Sequence, residues 1–164
     1  MRLIVNRELC RGCRICELAC SFFNFGVFNP KKSRIRVTKL EEPGIDIPVV
    51  CRQCEKCRPI TDCPAGALKK DEETGAVIVD LEKCTGCGIC LEACPFGAVS
   101  LNPENGLANV CDMCNGSPKC VEWCPNEALL YTRNFSIIGQ KKRVEYAEML
   151  AKPDLRRWSI LKEV

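Results

Sequence analysis

Residues 84–95 read Cys84-Thr85-Gly86-Cys87-Gly88-Ile89-Cys90-Leu91-Glu92-Ala93-Cys94-Pro95. Two residues separate each of the first three cysteines, three residues separate the third from the fourth, and a proline follows. All sixteen cysteines of this 164-residue chain fall into four groups of four, and three of the groups end in Cys-Pro. The groups are Cys10, Cys13, Cys16 and Cys20; Cys51, Cys54, Cys57 and Cys63; Cys84, Cys87, Cys90 and Cys94; and Cys111, Cys114, Cys120 and Cys124.

The spacing C-x2-C-x2-C-x3-C of the first and third groups is typical of proteins that bind [4Fe–4S] clusters. Three thiolates so close together let a short loop wrap one face of a cluster, and the fourth cysteine serves the neighbouring cluster in two-cluster proteins. Proline after the fourth cysteine turns the chain away, because it cannot continue a helical hydrogen-bond ladder. Four complete groups therefore predict four [4Fe–4S] clusters and a chain that conducts electrons.

Two other uses of cysteine fit the pattern less well. A disulfide framework belongs to secreted chains, but residues 1–5 lead straight into the first group, so we expect no signal peptide. Zinc sites use cysteine pairs rather than triplets followed by Cys-Pro. The chain has no histidine, which excludes Rieske ligation by its own residues.

Composition limits the fold and the partners. Only 10 residues are Phe, Trp or Tyr, so clusters must replace much of the apolar core and the apo-chain should be largely unfolded. No apolar run approaches the roughly 20 residues needed to span a bilayer, and free thiolates favour a reducing, cytoplasmic setting. Four clusters of about −2 each would lower the formal charge of +3 to about −5. Together with the lack of a basic stripe interleaved with aromatics, this argues against nucleic-acid binding.

A repeat organises the chain between the cysteine groups. Each Cys-Pro begins a similar segment, for which we expect a short helical turn and then a short strand. Two of these strands enter hairpins that turn at 71–75 and 102–106, where Gly and Asn supply positive φ. The return strands at 76–79 and 107–110 deliver the chain to the next cysteine group.

Other elements follow from residue patterns. A strand at Arg2–Val5 should pair with Leu129–Thr132, a helix should begin near Ile15, and residues 33–39 read as a strand. Four phenylalanines and one tryptophan are expected to fill the core or shield clusters from water. They are Phe22, Phe23, Phe25, Phe28 and Trp123.

Residues 133–164 contain no cysteine and carry eight Lys or Arg against four Asp or Glu. Residues 144–151 and 155–161 are predicted to be helical, with Pro153 between them. Two interpretations stay open. The tail is either a solvated cap that packs Trp158 and Leu161 over the body, or a basic docking arm that orients a partner.

The order of the groups resembles the four-cluster iron–sulfur subunits of the dimethyl-sulfoxide-reductase, formate-dehydrogenase and hydrogenase-associated families. The resemblance covers about residues 1–132 and rests on Glu17-Leu18-Ala19-Cys20-Ser21, the regular spacing of Cys84–Cys94, and the insertions before Cys63 and before Cys120. Ser21 departs from the family, which has proline there. The short length is most similar to the small subunits of tungsten-pterin enzymes of the aldehyde oxidoreductase family, which include tungsten benzoyl-CoA reductase.

The resemblance implies an α+β fold of two interlocked bacterial-ferredoxin-like modules with short hairpins and helices, plus the helical tail. Residues 1–50 and 109–132 would form the outer module, residues 51–108 the inner module and residues 133–164 the tail. It also implies the ligands of each cluster. They are Cys10, Cys13, Cys16 and Cys124 for cluster 1; Cys20, Cys111, Cys114 and Cys120 for cluster 2; Cys51, Cys54, Cys57 and Cys94 for cluster 3; and Cys63, Cys84, Cys87 and Cys90 for cluster 4.

The implied function is electron relay without a substrate site. The chain would connect a catalytic subunit, a tungsten- or molybdenum-pterin enzyme, with ferredoxin or another redox subunit. An enzyme is disfavoured because no iron is left open and no acid–base constellation or phosphate loop is present. The alternatives that stay open are a freely diffusing polyferredoxin and a hydrogenase-associated ferredoxin-like subunit.

Overall fold

The computed structural model describes residues 2–42 and 44–132, in which short strands alternate with short helices. The strands are β1 (Arg2–Val5), β2 (Arg36–Leu40), β3 (Ile45–Val49), β4 (Leu68–Lys70), β5 (Val77–Val79), β6 (Val99–Leu101), β7 (Ala108–Val110) and β8 (Leu129–Thr132). The helices are α1 (Ile15–Phe25), α2 (Arg58–Thr61), α3 (Ile89–Ala93) and α4 (Lys119–Glu122), with 3₁₀ turns at Pro30–Lys32 and Met113–Gly116. This is an α+β fold, as the sequence predicts. The predicted helices of the tail lie outside the described residues.

The strands form four two-stranded antiparallel sheets. β1 pairs with β8, with Arg2 opposite Thr132 and Val5 opposite Leu129, which confirms the predicted pairing of the two distant segments. A compact unit spans Met1–Thr132. Its division into an outer and an inner module stays a prediction.

Two hairpins occupy the middle of the chain, as predicted. β4 pairs with β5, and β6 pairs with β7. In the first turn the Gly75 N–H donates to Asp71 O at 2.9 Å, and in the second the Gly106 N–H donates to Asn102 O at 2.8 Å. Both glycines have φ near +70°, a value that side-chain-bearing residues adopt with difficulty. Each return strand leads directly to the next cysteine group.

The sheet of β2 and β3 is only partly as predicted. The predicted strand at 33–39 begins later, at Arg36, and its partner β3 was not expected. Pro48 lies in β3 opposite Val37. The Val37 N–H donates to Glu17 Oε1 at 2.7 Å and not to β3. Val37 and Pro48 are therefore not a hydrogen-bonded pair, and the sheet does not need the N–H that Pro48 lacks. Proline is tolerated in a strand under that condition.

The prediction of a helical turn after each Cys-Pro is wrong. One hydrogen-bonded turn stands there instead, and it closes on a residue with positive φ, which prevents a helix from continuing. The short helices α2, α3 and α4 lie before the fourth cysteine of the second, third and fourth groups, whereas α1 contains Cys20, the fourth cysteine of the first group. The turn bonds run from the N–H of Gly66, Gly97 and Glu127 to the carbonyls of Cys63, Cys94 and Cys124, at 3.1, 3.1 and 3.2 Å.

The apolar core is thin and includes cysteines. Ile35, Met113, Leu129 and Val77 are its largest fully buried apolar side chains. Among the described residues, six cysteines belong to the same buried cluster, so the cofactor sites and the core are one region. No helix of the described part of the chain is long and apolar enough to cross a membrane.

Candidate iron–sulfur sites

Three cavities are each lined by four cysteines from two different groups. The first contains Cys10, Cys13, Cys16 and Cys124. The second contains Cys51, Cys54, Cys57 and Cys94, and the third contains Cys63, Cys84, Cys87 and Cys90. These are the sets that the resemblance assigns to clusters 1, 3 and 4. All sixteen cysteines have free thiols.

The remaining four cysteines also lie close together. Burial raises the pKa of the Cys111 and Cys120 thiols, and the charges of Cys20 and of their neighbours in the set raise it further. The pKa of Cys114 is raised in the same way, by burial first and by Asp112 and Cys20 after it. Three members of this set, Cys20, Cys111 and Cys120, are buried, which makes the predicted cluster 2 site the most enclosed of the four.

Backbone N–H groups point at several of the sulfurs. Ala67 N donates to Cys63 Sγ at 3.4 Å, and Ala108 N donates to Cys84 Sγ at 3.5 Å. Slight burial raises the pKa of Cys63, but backbone hydrogen bonds from Ala67 and its neighbours outweigh it and lower the pKa overall. Donors of this kind favour a charged sulfur. Four thiols around a cavity with N–H groups directed at them fit a [4Fe–4S] cluster, whose ligands are thiolates.

The site at the start of α1 contains a fully buried carboxylate. Arg14 Nε lies 2.9 Å from Glu17 Oε2, and the Val37 N–H donates to Glu17 Oε1. Burial, together with the charge of Glu17, raises the pKa of the adjacent Cys16 to about 12. A ligand thiol must lose its proton to bind iron, so loading this site releases a proton that the apo-protein holds at neutral pH.

Glycine within the cysteine loop permits close approach of the backbone. Gly86, between Cys84 and Cys87, has φ +70°, and a Cβ there would meet Gly106 O at 2.6 Å. The turn of the β6–β7 hairpin therefore lies directly against the loop of the third group. Any side chain at position 86 would push the hairpin away.

Charge interactions indicate which cysteine sets are neighbours. Burial is the main cause of the raised pKa of Cys120, and Cys16 of the first set contributes to it. For Cys111 the main cause is again burial, with a contribution from Cys51. The enclosed set therefore lies near both the first set and the Cys51 set.

Gln53 is a residue that sequence reasoning missed. It is buried, has φ +52° and lies between Cys51 and Cys54. Its Nε2 donates to Cys111 O at 2.7 Å, and its Oε1 accepts from the Val77 N–H at 2.8 Å. It therefore joins the second group, the fourth group and β5. No pattern within the sequence distinguishes this glutamine from an exposed one.

The prediction that Phe22, Phe23 and Phe28 fill the core is wrong, whereas shielding of a cluster by Trp123 stays a prediction. Phe22, Phe23, Phe28 and Trp123 are exposed, and Trp123 and Phe28 keep 43% and 60% of their surface accessible. We call these four residues the aromatic patch. Phe22 stacks on Phe28 at 4.6 Å, and Phe23 meets Trp123 edge to face at 5.5 Å. The buried positions of α1 are Cys16, Glu17, Ala19, Cys20 and Ser21, so Phe22 and Phe23 fall outside its buried stretch.

Comparison with known families matches the cysteine-rich body. The family described as "4Fe-4S dicluster domain" matches residues 45–134, and "4Fe-4S binding domain" matches residues 7–23. The aliphatic sulfonate oxidoreductase polyferredoxin-like subunit of Pyrococcus furiosus is 44% identical over 122 residues, covering 74% of this chain and 70% of that protein. The thiosulfate reductase electron transfer subunit PhsB of Salmonella typhi is 32% identical over 144 residues, covering 80% and 74%.

A solved structure is also similar. It is a chain of the active-site complex BamBC of benzoyl coenzyme A reductase with benzoyl-CoA. The sequence identity is 23% and the TM-score is 0.48, over 99% of this chain and 96% of that one.

Proposed function

The chain belongs to the 4Fe–4S dicluster domain family and binds four [4Fe–4S] clusters, and on this basis we propose that it is the electron-transfer subunit of an oxidoreductase complex. The observation that carries the proposal is the gathering of cysteines from different groups into sets of four around three cavities. Four thiolates complete the coordination of a cubane, so each cluster can accept and pass on an electron without binding substrate.

We propose the ligand sets stated for clusters 1 to 4 and a relay that runs in that order. The order is supported by the charge interactions of Cys16 with Cys120 and of Cys51 with Cys111. Cys13 in cluster 1 and Cys87 in cluster 4 are the exposed cysteines. Electrons would therefore enter and leave at the two accessible ends and cross the enclosed cluster 2 on the way.

The partner we propose is a catalytic subunit that contains a tungsten or molybdenum pterin, with ferredoxin or another redox subunit at the other end. The names of the relatives support a subunit role, since one is a polyferredoxin-like subunit and the other an electron transfer subunit. The aromatic patch supports it too, because exposed apolar patches mark protein interfaces and aromatic residues are enriched there. The tungsten or molybdenum of the partner is supported by the family resemblance of the cysteine groups and by the short length of the chain. We place the complex in the reducing cytoplasm.

Anaerobic purification of the native complex tests the function. We expect about 16 iron and 16 sulfide per chain from four cubanes, a larger catalytic subunit in the same complex, and oxidation of the reduced clusters when the substrate of that subunit is added. About eight iron, or stoichiometric zinc, would contradict the cluster assignment. A chain that purifies alone and exchanges electrons with many acceptors would support the freely diffusing polyferredoxin instead.

A further inference from the structure

A cation lies beside the most enclosed cysteine set. The backbone N–H of Arg34 donates to Cys20 Sγ at 3.3 Å. Asn24 Nδ2 lies 3.7 Å from the same sulfur, and Arg34 Nη1 donates to Asn24 Oδ1 at 2.7 Å. Asn24 Nδ2 also donates to Cys20 O at 2.8 Å, so the guanidinium and this carbonyl together hold the Asn24 NH₂ group near the sulfur.

The same terminal nitrogen of the guanidinium also faces a carboxylate. Arg34 Nη1 lies 2.6 Å from Asp112 Oδ2, and Arg34 Nε donates to Asn109 Oδ1 at 3.0 Å. Asp112 in turn accepts the Cys114 N–H through Oδ1 at 3.0 Å. Arg34 therefore contacts Cys20 and Asp112 contacts Cys114, and both cysteines belong to the same set.

Both charges are held in place and largely shielded from water. The Arg34 side chain keeps 20% of its surface accessible and that of Asp112 keeps 26%. Asn109, which accepts the hydrogen bond from Arg34 Nε, is itself buried and donates to Lys32 O at 2.9 Å. This second hydrogen bond holds Asn109, and therefore Arg34, in place. Charges in such a setting are screened less than charges on the surface, so each acts more strongly on a nearby electron.

We propose that Arg34 and Asp112 set the reduction potential of cluster 2. The cation of Arg34, the Arg34 N–H and the Asn24 amide stabilise the reduced cluster and raise its potential, because hydrogen bonds to sulfur and net charge are the protein's means of tuning such clusters. Asp112 lowers the potential, so the pair fixes an intermediate value. The inference rests on the proposed ligand set Cys20, Cys111, Cys114 and Cys120. Arg34 is a positioning residue for the Asn24 amide, and its charge also acts on the cluster directly.

Redox titration followed by electron paramagnetic resonance tests the pair in the full-length, cluster-loaded protein. Arg34→Gln removes the cation and leaves the carboxylate, so one of four midpoint potentials should fall. The equilibrium constant for reduction should drop at least roughly tenfold, which is about 59 mV for one electron. Asp112→Asn keeps an oxygen for the Cys114 N–H and should shift the same potential upward. The double variant should return to within about threefold of wild type.

Lys39→Gln is the matched control, because it changes the net charge equally in exposed β2, where Lys39 pairs with Glu41 at 3.1 Å. It should leave all four potentials unchanged. Equal shifts for Arg34→Gln and Lys39→Gln at full iron content would overturn the inference. So would shifts of the same sign for Arg34→Gln and Asp112→Asn, which a merely structural role produces. If Arg34→Gln loses iron, Asp112→Asn decides alone: an upward shift supports the inference and no shift overturns it.

Failure of this inference is distinguishable from failure of the proposed function. Iron content and the number of reducible clusters in the wild-type chain test the function. The variants test only which residues set one potential, and their outcome does not depend on the identity of the partner.

Discussion

The first and fourth cysteine groups are enclosed by distant parts of the chain, whereas the second and third groups are bounded by local hairpins. β1 and β8 come from opposite ends of the described residues, and α1, which has 11 residues, contains Cys16 and Cys20 of the first group. The corresponding helix of the third group, α3, has five residues, and its neighbours β4–β5 and β6–β7 are short hairpins. The first and third groups share one cysteine spacing and the same exposure of their first three cysteines, so the flanking elements change only the burial of the fourth, since Cys20 is buried and Cys94 is half-buried.

The difference extends to buried charge. Glu17 in α1 is fully buried and accepts a hydrogen bond from the Val37 N–H, while Glu92 in α3 is exposed. Cluster potentials respond to burial and to nearby charge, so equal cysteine motifs are expected to give unequal potentials. We therefore expect the outer pair of clusters to differ from the inner pair in local stability and in reduction potential.

Loss of a ligand gives the largest expected effect. Cys20→Ala should damage the cluster built on Cys111, Cys114 and Cys120 and leave the one built on Cys10, Cys13 and Cys16, because the fourth cysteine serves the neighbouring cluster. Electron paramagnetic resonance and iron analysis would show which signal disappears or becomes a three-iron species. Cys94→Ala is the matched change in the inner pair and should affect the Cys51 set. Damage confined to the first group's own cluster would refute the assignment.

The second-largest effect is expected from loss of Gln53, which connects the inner cysteine groups with the outer ones. Gln53→Leu leaves the Val77 N–H and the Cys111 carbonyl without their partner, at about 1–3 kcal/mol for each buried group. We expect the free energy of unfolding to fall by about 2–6 kcal/mol, measured by anaerobic denaturation followed through cluster absorbance. Arg52→Leu, at the exposed neighbour, should change it by about 0.5 kcal/mol or less. Equal effects of the two variants would show that Gln53 is not a link.

Glu17→Ala compared with Glu92→Ala sharpens the contrast between α1 and α3. Removing Glu17 leaves the Val37 N–H without its acceptor, which lowers the free energy of unfolding by about 1–3 kcal/mol. The pair with Arg14 adds little, because 56% of the arginine side chain is accessible. Glu92→Ala should cost less than about 0.5 kcal/mol. The measurement is the same denaturation experiment, and a larger loss for Glu92→Ala would reverse the comparison.

The smallest effect is expected where a surface acid meets a buried lysine. Lys32 Nζ pairs with Glu104 Oε1, and the Glu104 side chain is 66% accessible. Glu104→Gln should therefore lower the unfolding free energy by only about 0.5–1 kcal/mol, as exposed ion pairs do. Raising the salt concentration should shrink the difference between variant and wild type. A salt-independent loss above about 2 kcal/mol would mean that Lys32 requires this carboxylate.

Sequence patterns predicted the elements whose causes are local. The turns before Gly75 and Gly106 and the start of α1 at Ile15 follow from residue type, whereas the distant pairing of β1 with β8 could be predicted only because the chain repeats a known module. The aromatic patch was misjudged because hydrophobicity alone does not say which side of α1 faces the cysteines. Gln53 and Arg34 went unnoticed because their roles depend on partners 58 and 75 residues away, and one sequence contains no signal for such approaches.

The pairing of β1 with β8 has a consequence for biosynthesis. Because a ribosome releases the chain from its N-terminus, all eight cysteines proposed for the inner pair are available once Cys94 has been made. The first group must wait for Cys124, and β1 must wait for Leu129–Thr132, before their sites can close. Cluster insertion should therefore proceed from the middle of the chain outward, with the early cysteines exposed to oxidation while translation continues.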